Sequence, residues 1–284
     1  MIPYRKTWLV NDRILDFSRP RIMGILNVTD DSFYDGGLYK SEKACKERVV
    51  QMVEEGADII DIGAMSSRPG AVELPEEHER SRIRNALEWI AELGITSWLS
   101  IDTYRGSVMQ AGLDHGAHIC NDISGGALDA GLWPVVAKAR IPYILMHMPG
   151  NPRNMQQLAN YEDVVKEILH FFINKIRLLN GLGIYDVMVD PGFGFGKTLE
   201  HNYTLLHDLN AFHVTNKPIL AGLSRKGMVY RTVDRTPDEV LPATSALHLA
   251  ALERGANVIR VHDVEAARQV IAVFEQLNSG EPRF

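Results

Sequence analysis

Eight short apolar runs, each followed by a segment with helical periodicity, constrain this chain more than any other feature. They are IMGILNV (22–28), DIIDIGA (58–64), SWLSIDT (97–103), HICNDIS (118–124), PYILMHM (142–148), VMVDPGF (187–193), PILAGLS (218–224) and VIRVHDV (258–264). Their nearly unbroken hydrophobicity suits parallel strands covered on both faces. Between them lie amphipathic stretches such as SEKACKERVVQMVEEG, where Ala44, Val49, Met52 and Val53 share a face. Ser41 is expected to cap that helix at its start and Gly56 at its end. The tripeptides GAD (56–58), GAH (116–118) and GAN (255–257) each precede a strand and suit a tight turn from helix end into sheet.

Eight such units predict an α/β chain, a single (β/α)8 TIM barrel spanning residues 1–284. Residues 1–17, with VNDR between apolar segments, are expected to form a β-hairpin at the barrel bottom. A doubly wound open sheet is the rival, because strand count alone does not prove closure. At 284 residues and 45% hydrophobic, the chain can bury a large core without disulfides. A net charge of -6 argues against a general nucleic-acid binder. Two cysteines outside any C-x-x-C motif suggest a reducing compartment, and no run is apolar enough for a membrane span or secretory leader. A cytoplasmic location is expected.

Polar residues gather where the strands end: Asn27, Asp102, Asn121 with Asp122, His147, Asp190, Ser224 with Arg225 and Lys226, and Arg260 with His262. One such residue is usually a helix cap, but seven of eight strands ending this way point to a site on the barrel rim. Side chains two apart on a strand share a face, so Arg260 and His262 can offer two donors to one anion. Asn121 and Ile123 pair a polar contact with an apolar wall. Met146 and Met148 also share a face, and His147 between them reads as structural. No His/Cys cluster at zinc-ligand spacing occurs.

DPGFGFGKT (190–198) fails as a nucleotide loop. A P-loop ending at Gly196-Lys197-Thr198 needs glycine at 191, where Pro191 stands, and the dinucleotide fingerprint needs glycine at 197. What is expected instead is a flexible loop exposing Phe193 and Phe195 beside Asp190, suited to a flat heterocycle with N–H donors.

MGILNVTDDSFYDGG, SSRPGA, IDT, NDISGG, LMHMPGNPRNMQ, DPGFGFGKTLEHN, GLSRKGM and IRVHDV run in order from residue 23 to 264. In that combination the chain resembles the dihydropteroate synthase family of pterin-binding barrels. The resemblance implies condensation of (7,8-dihydropterin-6-yl)methyl diphosphate with 4-aminobenzoate to give 7,8-dihydropteroate and pyrophosphate. It implies Asp102, Lys226, Asp31 and Arg68 as catalytic groups. The pterin site would comprise Asp102, Asn121, Ile123, Met146, Asp190, Phe195 and Lys226, and the diphosphate site Asn27, Ser67, Arg68, Arg260 and His262. Phe33, Pro69, Ser224 and Arg225 match the aminobenzoate pocket, where sulfonamides compete. Magnesium shared between Asn27 and the diphosphate is implied, as is a homodimer.

TDDSFYDGG (29–37) reads as a mobile first loop, with Asp31 and Phe33 its working residues and Gly36 and Gly37 its hinge. Three positions depart from the family pattern: Asp30 stands for the usual proline, Met65 for a common glutamate, and Gly227 for a larger residue. Two alternatives belong to other classes. One is a methyltransferase barrel acting on methyltetrahydrofolate; the other is a non-catalytic pterin-binding paralogue.

Overall fold

The structure, a computed structural model, describes residues 7–28, 37–65 and 74–279. It opens with two antiparallel strands, β1 (Thr7–Val10) and β2 (Arg13–Asp16). Asn11 and Asp12 between them take φ of 47° and 59°. A two-residue turn with both φ positive matches the strand twist, and Asn and Asp tolerate it best after glycine. The expected hairpin is therefore present, and VNDR is its turn.

The strands β3 (Arg21–Asn27), β4 (Ile59–Gly63), β5 (Trp98–Asp102), β6 (Ile119–Asp122), β7 (Tyr143–Met146), β8 (Val187–Asp190), β9 (Leu220–Ala221) and β10 (Val258–Val261) follow. They form one parallel sheet ordered β8-β7-β6-β5-β4-β3-β10-β9. A parallel bridge between Val189 and Ile219 joins its two ends, which makes the sheet a barrel rather than the open rival. The helices α1 (Gly37–Glu54), α2 (Glu76–Ala91), α3 (Gly106–Asp114), α4 (Leu132–Ala139), α5 (Val164–Gly181), α6 (Leu199–His207), α7 (Gly227–Tyr230), α8 (Leu241–Glu253) and α9 (Val264–Asn278) alternate with the strands. No helix among the described residues is long and apolar enough to cross a membrane.

The repeated GA tripeptides share one design. Gly56, Gly116 and Gly255 take φ of 100°, 91° and 90°. In each the alanine N–H closes the helix end: Ala57 to Met52, Ala117 to Gly112 and Ala256 to Ala251, at 2.8–3.0 Å. This is the Schellman closure that glycine permits. The third residue then ties down the strand before it. Asp58 accepts from the Ile22 N–H at 2.9 Å, His118 Nδ1 from Leu99 at 3.0 Å, and Asn257 from Ile219 at 2.9 Å. Gly183 closes α5 in the same way without the tripeptide, through Ile184 N–H to Leu179. Ser41 does not cap α1, which begins a turn earlier at Gly37. Gly37, expected as part of a hinge, is thus the first helical residue, and Gly36 lies outside the described residues.

Two apolar layers hold the barrel. The larger lies between sheet and helices and includes Val49, Met52, Ile83, Val108, Phe172 and Phe212. The smaller lies inside the barrel at the strand starts, where Met23, Ile59, Trp98, Ile119, Ile144, Met188, Leu220 and Val258 contribute one residue per strand. Trp8, Val10, Leu15 and Phe17 of the hairpin pack onto that layer. Trp8 and Phe17 meet edge to face at 4.9 Å, and Arg13 lies 4.2 Å over the Trp98 ring. The hairpin is a plug, so whatever the barrel binds enters from the opposite end.

Candidate active site at the C-terminal mouth

Strand alternation builds the site from that plug. Two residues beyond the apolar layer, the same faces carry Asp61, Ser100, Asn121, Met146, Asp190, Gly222 and Arg260; two further on come Asn27, Asp102, Ile123, Ser224 and His262. The change from apolar to polar happens within one step on the strands. The site is the upper part of the barrel interior.

Arg260 organises its floor. Its Nε donates to Asp61 Oδ2 at 2.7 Å and an Nη to Asp102 Oδ2 at 2.8 Å. Asn121 Nδ2 donates to the same Asp61 oxygen at 2.9 Å. Asp61 is fully buried, and its other oxygen has no hydrogen-bond partner among the described residues. Asp61 was missed by sequence reasoning because it reads as the middle of a strand rather than its end. The alternation counted from Ile59 was the signal that could have found it. Arg260 and His262 are each engaged on one side, Arg260 by the two carboxylates and His262 by Ser224 across 3.0 Å, and the two-donor expectation concerns the groups that remain.

Burial raises the Asp102 carboxyl above its ordinary value, with Arg260 pulling against that and Asp61 adding to it. Asp190 is likewise pushed up by burial and opposed chiefly by Lys226. One Asp190 oxygen accepts from the Gly192 N–H at 2.7 Å. The other faces Gly222, where an added Cβ would lie 3.6 Å from Lys226 Nζ and 3.9 Å from the Arg260 Cβ. A side chain at 222 would thus sit in ordinary contact with Lys226, Arg260 and Asp190. Lys226 donates to the Phe193 carbonyl, and its ammonium sits 4.6 Å over the Phe195 ring. Burial lowers its pKa to about 8.

The apolar side of the mouth is a separate small cluster of Tyr104, Ile123, Met146, Met148 and Met155, with Met65 and Phe195 against it. Met65, one of the departures, thus contributes a thioether where a carboxylate is usual, and its sulfur lies 4.0 Å from the Tyr104 hydroxyl. Ile123, Met146 and Phe195 come together as expected.

The 190–198 segment corrects a second expectation. Phe193 is not exposed; it is fully buried in the outer core, while Phe195 is half-buried. Gly192, Gly194 and Gly196 take φ of 71°, 82° and 59°, which lets the chain fold back and turn alternate side chains in opposite directions. Buried Lys197 pins the segment, donating to the Phe195 carbonyl at 2.9 Å and the His147 carbonyl at 3.3 Å, with His147 Nδ1 3.2 Å away. Thr198 caps α6 reciprocally with His201. GKT is a strut and a helix start, and His147 is structural as expected.

Beside Asp102, Thr103 donates to buried Glu79 at 2.7 Å, and Arg105 donates to the other Glu79 oxygen at 2.7 Å and to the Leu74 carbonyl at 2.8 Å. This joins α2 to the end of β5. Asn27 is exposed at the end of β3. Arg225 forks onto Asp263 at 2.7 and 3.2 Å and reaches Asp238 at 2.9 Å. Asp122, although at a strand end, turns away to accept from Ser124, Gly126 and the Tyr143 hydroxyl. Asp31, Phe33, Ser67, Arg68 and Pro69 lie outside the described residues, as does Asp30.

The mouth thus offers fixed acceptors, one amide, one ammonium and an apolar wall. That set matches a flat ring bearing N–H donors and a carbonyl. Residues 23–262 match the family described as pterin binding enzyme. The chain belongs to this family. It is 42% identical to dihydropteroate synthase of Escherichia coli K12 over 92% of this chain and 93% of that one, and 39% identical to that of Haemophilus influenzae over 93% and 96%. Among solved structures, Yersinia pestis dihydropteroate synthase with a sulfonamide drug complex superposes with a TM-score of 0.91 at 38% identity, covering 96% of this chain and all of that one. The Xanthomonas albilineans dihydropteroate synthase with 4-aminobenzoic acid gives 0.90 at 37%, covering 97% and 99%. As a pterin-binding family member, the chain keeps the polar upper barrel just described in a sheet closed at the other end.

Proposed function

We propose that this chain is an alkyl-transferring dihydropteroate synthase of folate biosynthesis, joining (7,8-dihydropterin-6-yl)methyl diphosphate to 4-aminobenzoate. The observation that carries it is the grouping of Asp102, Asn121, Asp190 and Lys226 in one barrel mouth, in a chain whose full-length relatives are synthases. Asp190 accepts the N–H groups of the amino-pyrimidine edge. Asn121, oriented by Asp61, and Asp102 complete that edge, and Lys226 donates to the ring carbonyl. Ile123, Met146 and Phe195 hold the ring faces. A ring fixed on so many sides loses little further freedom on the way to reaction.

The bond from the pterin methylene to the diphosphate oxygen breaks, and its electron pair leaves with pyrophosphate. Positive charge then develops on the exocyclic carbon, where the Asp102 carboxylate opposes it at short range. The amine of 4-aminobenzoate attacks that carbon, a C–N bond forms, and the nitrogen gives up one proton to solvent. Arg260 has two roles in sequence: it opposes the burial that disfavours the Asp102 carboxylate, and with His262 it stands at the anion side of the mouth. Arg225, its charge met by Asp263 and Asp238, lines the aminobenzoate side with its stem.

Magnesium fits this donor set only as a shared ion. The described residues hold no group of three His, Cys, Asp or Glu side chains that could bind a metal, whereas Asn27 offers one hard amide oxygen. Bound with the diphosphate, the ion would neutralise the leaving charge. A homodimer is proposed alongside, testable by light scattering. The methyltransferase and non-catalytic alternatives draw no support from the matched relatives.

Purified protein with both substrates and magnesium should release pyrophosphate and form dihydropteroate in equal amounts. Pterin binding without pyrophosphate release would favour a binding module instead.

A further inference from the structure

Ser224 and His262 stand at adjoining strand ends, because β9 and β10 pair in parallel. Ser224 is buried. Its Oγ accepts from the His262 backbone N–H at 3.2 Å and lies 3.0 Å from His262 Nδ1. A buried hydroxyl has a single proton to place and requires an acceptor for it. The imidazole Nδ1 is the acceptor within reach, which puts the ring proton on Nε2.

The neighbouring residues repeat the pairing. Arg225 forks onto Asp263, so two consecutive residues of one rim loop are fastened to two consecutive residues of the next. Arg48 additionally donates to the His262 carbonyl. The ring is therefore fixed by its own Nδ1, by its backbone on both sides and by its successor. Burial, with Arg260, Arg225 and Lys226 nearby and only Asp263 opposing, lowers the His262 pKa to about 4. It is thus a neutral donor at ordinary pH, not an acid delivering a proton.

We propose that Ser224 is a positioning residue for the leaving group: its hydroxyl sets His262 in the Nε2–H tautomer, so that the imidazole presents a fixed N–H donor to the departing diphosphate. The inference rests on the synthase reading and moves Ser224 from the aminobenzoate side to the diphosphate side. Its hydroxyl proton is spent on His262 and does not reach the aminobenzoate carboxylate. Ser224 thereby ties the loop carrying Lys226 to the loop that handles the anion.

The test uses the intact protein labelled with 15N. Long-range proton–nitrogen correlation should show His262 Nδ1 unprotonated and Nε2 protonated in the wild type and in Ser224→Thr. Ser224→Ala should mix the tautomers, weaken pyrophosphate inhibition by roughly five- to tenfold, the worth of one neutral hydrogen bond, and leave the KM for 4-aminobenzoate near wild type. A protonated Nδ1 in the wild type overturns the proposal. So does a Ser224→Ala variant whose aminobenzoate KM rises while pyrophosphate inhibition is unchanged. The tautomer is read without turnover, so an inactive wild type would sink the synthase reading and leave this assignment standing on its own spectrum.

Discussion

Arg260 donates to Asp102 at 2.8 Å while its Nε is held by Asp61 at 2.7 Å, so one guanidinium spans two carboxylates from different strands. Burial pushes the Asp102 carboxyl up to about 7, and the Arg260 guanidinium beside it opposes that shift. Asp61→Leu should leave Arg260 half-partnered and Asn121 without its anchor. We expect a loss of about 2–4 kcal/mol in urea denaturation and weaker pterin binding by calorimetry. Wild-type values for both would remove Asp61 from the account.

Lys226 gives the site a pH limit. With a folded-state pKa of about 8, it is a charged donor below that pH and a neutral amine above it. Pterin diphosphate affinity should therefore fall as pH rises through about 8, and Lys226→Ala should be weak throughout. Lys226→Arg, which stays charged, should bind with a flat profile over the same range. Calorimetric titrations at several pH values check this, and a flat wild-type profile would contradict it.

Gly192 tests the folded-back segment. Its φ is +71°, and an added Cβ would lie 2.1 Å from the His147 carbonyl oxygen. Gly192→Ala should cost about 3 kcal/mol or more, from strain and overlap together. Gly94, with φ +60° and open space around it, supplies the control. Gly94→Ala should cost about 1 kcal/mol from backbone strain alone. Equal denaturation midpoints for the two variants would refute the reading.

The architecture was more legible than the site. VNDR between apolar segments announced a hairpin, whose turn the structure builds on positive φ at Asn11 and Asp12, and the GA tripeptides announced tight turns from helix end into sheet. The rim residues Asp102, Asn121, Asp190, Lys226 and Arg260 were legible as polar groups ending apolar strands. Asp61 was not, because a carboxylate in mid-strand becomes informative only once barrel closure shows which face looks inward. Phe193 was misplaced because residue spacing does not reveal how three positive-φ glycines turn the chain. The Ser224–His262 contact depends on strands almost forty residues apart ending side by side.

His248 offers a pH test of stability away from the site. It is buried in α8, its Nε2 lacks a partner among the described residues, and burial lowers its pKa from 6.5 to about 4. Between those values the unfolded chain binds a proton that the folded chain refuses, so stability falls as pH drops from 6.5 towards 4. Relative to His248→Leu, wild type should lose on the order of 3 kcal/mol across that window. Denaturation curves for both proteins at pH 7 and pH 4.5 measure the difference. A constant gap between them would contradict it.

The most direct measurement is a crystal structure with pterin, pyrophosphate and 4-aminobenzoate bound together. In it the amino-pyrimidine edge should lie on Asp190 and Asn121, the ring carbonyl on Lys226, and pyrophosphate beside Asn27 and His262. A pterin bound outside the barrel mouth, or pyrophosphate held away from Asn27 and His262, would contradict that placement.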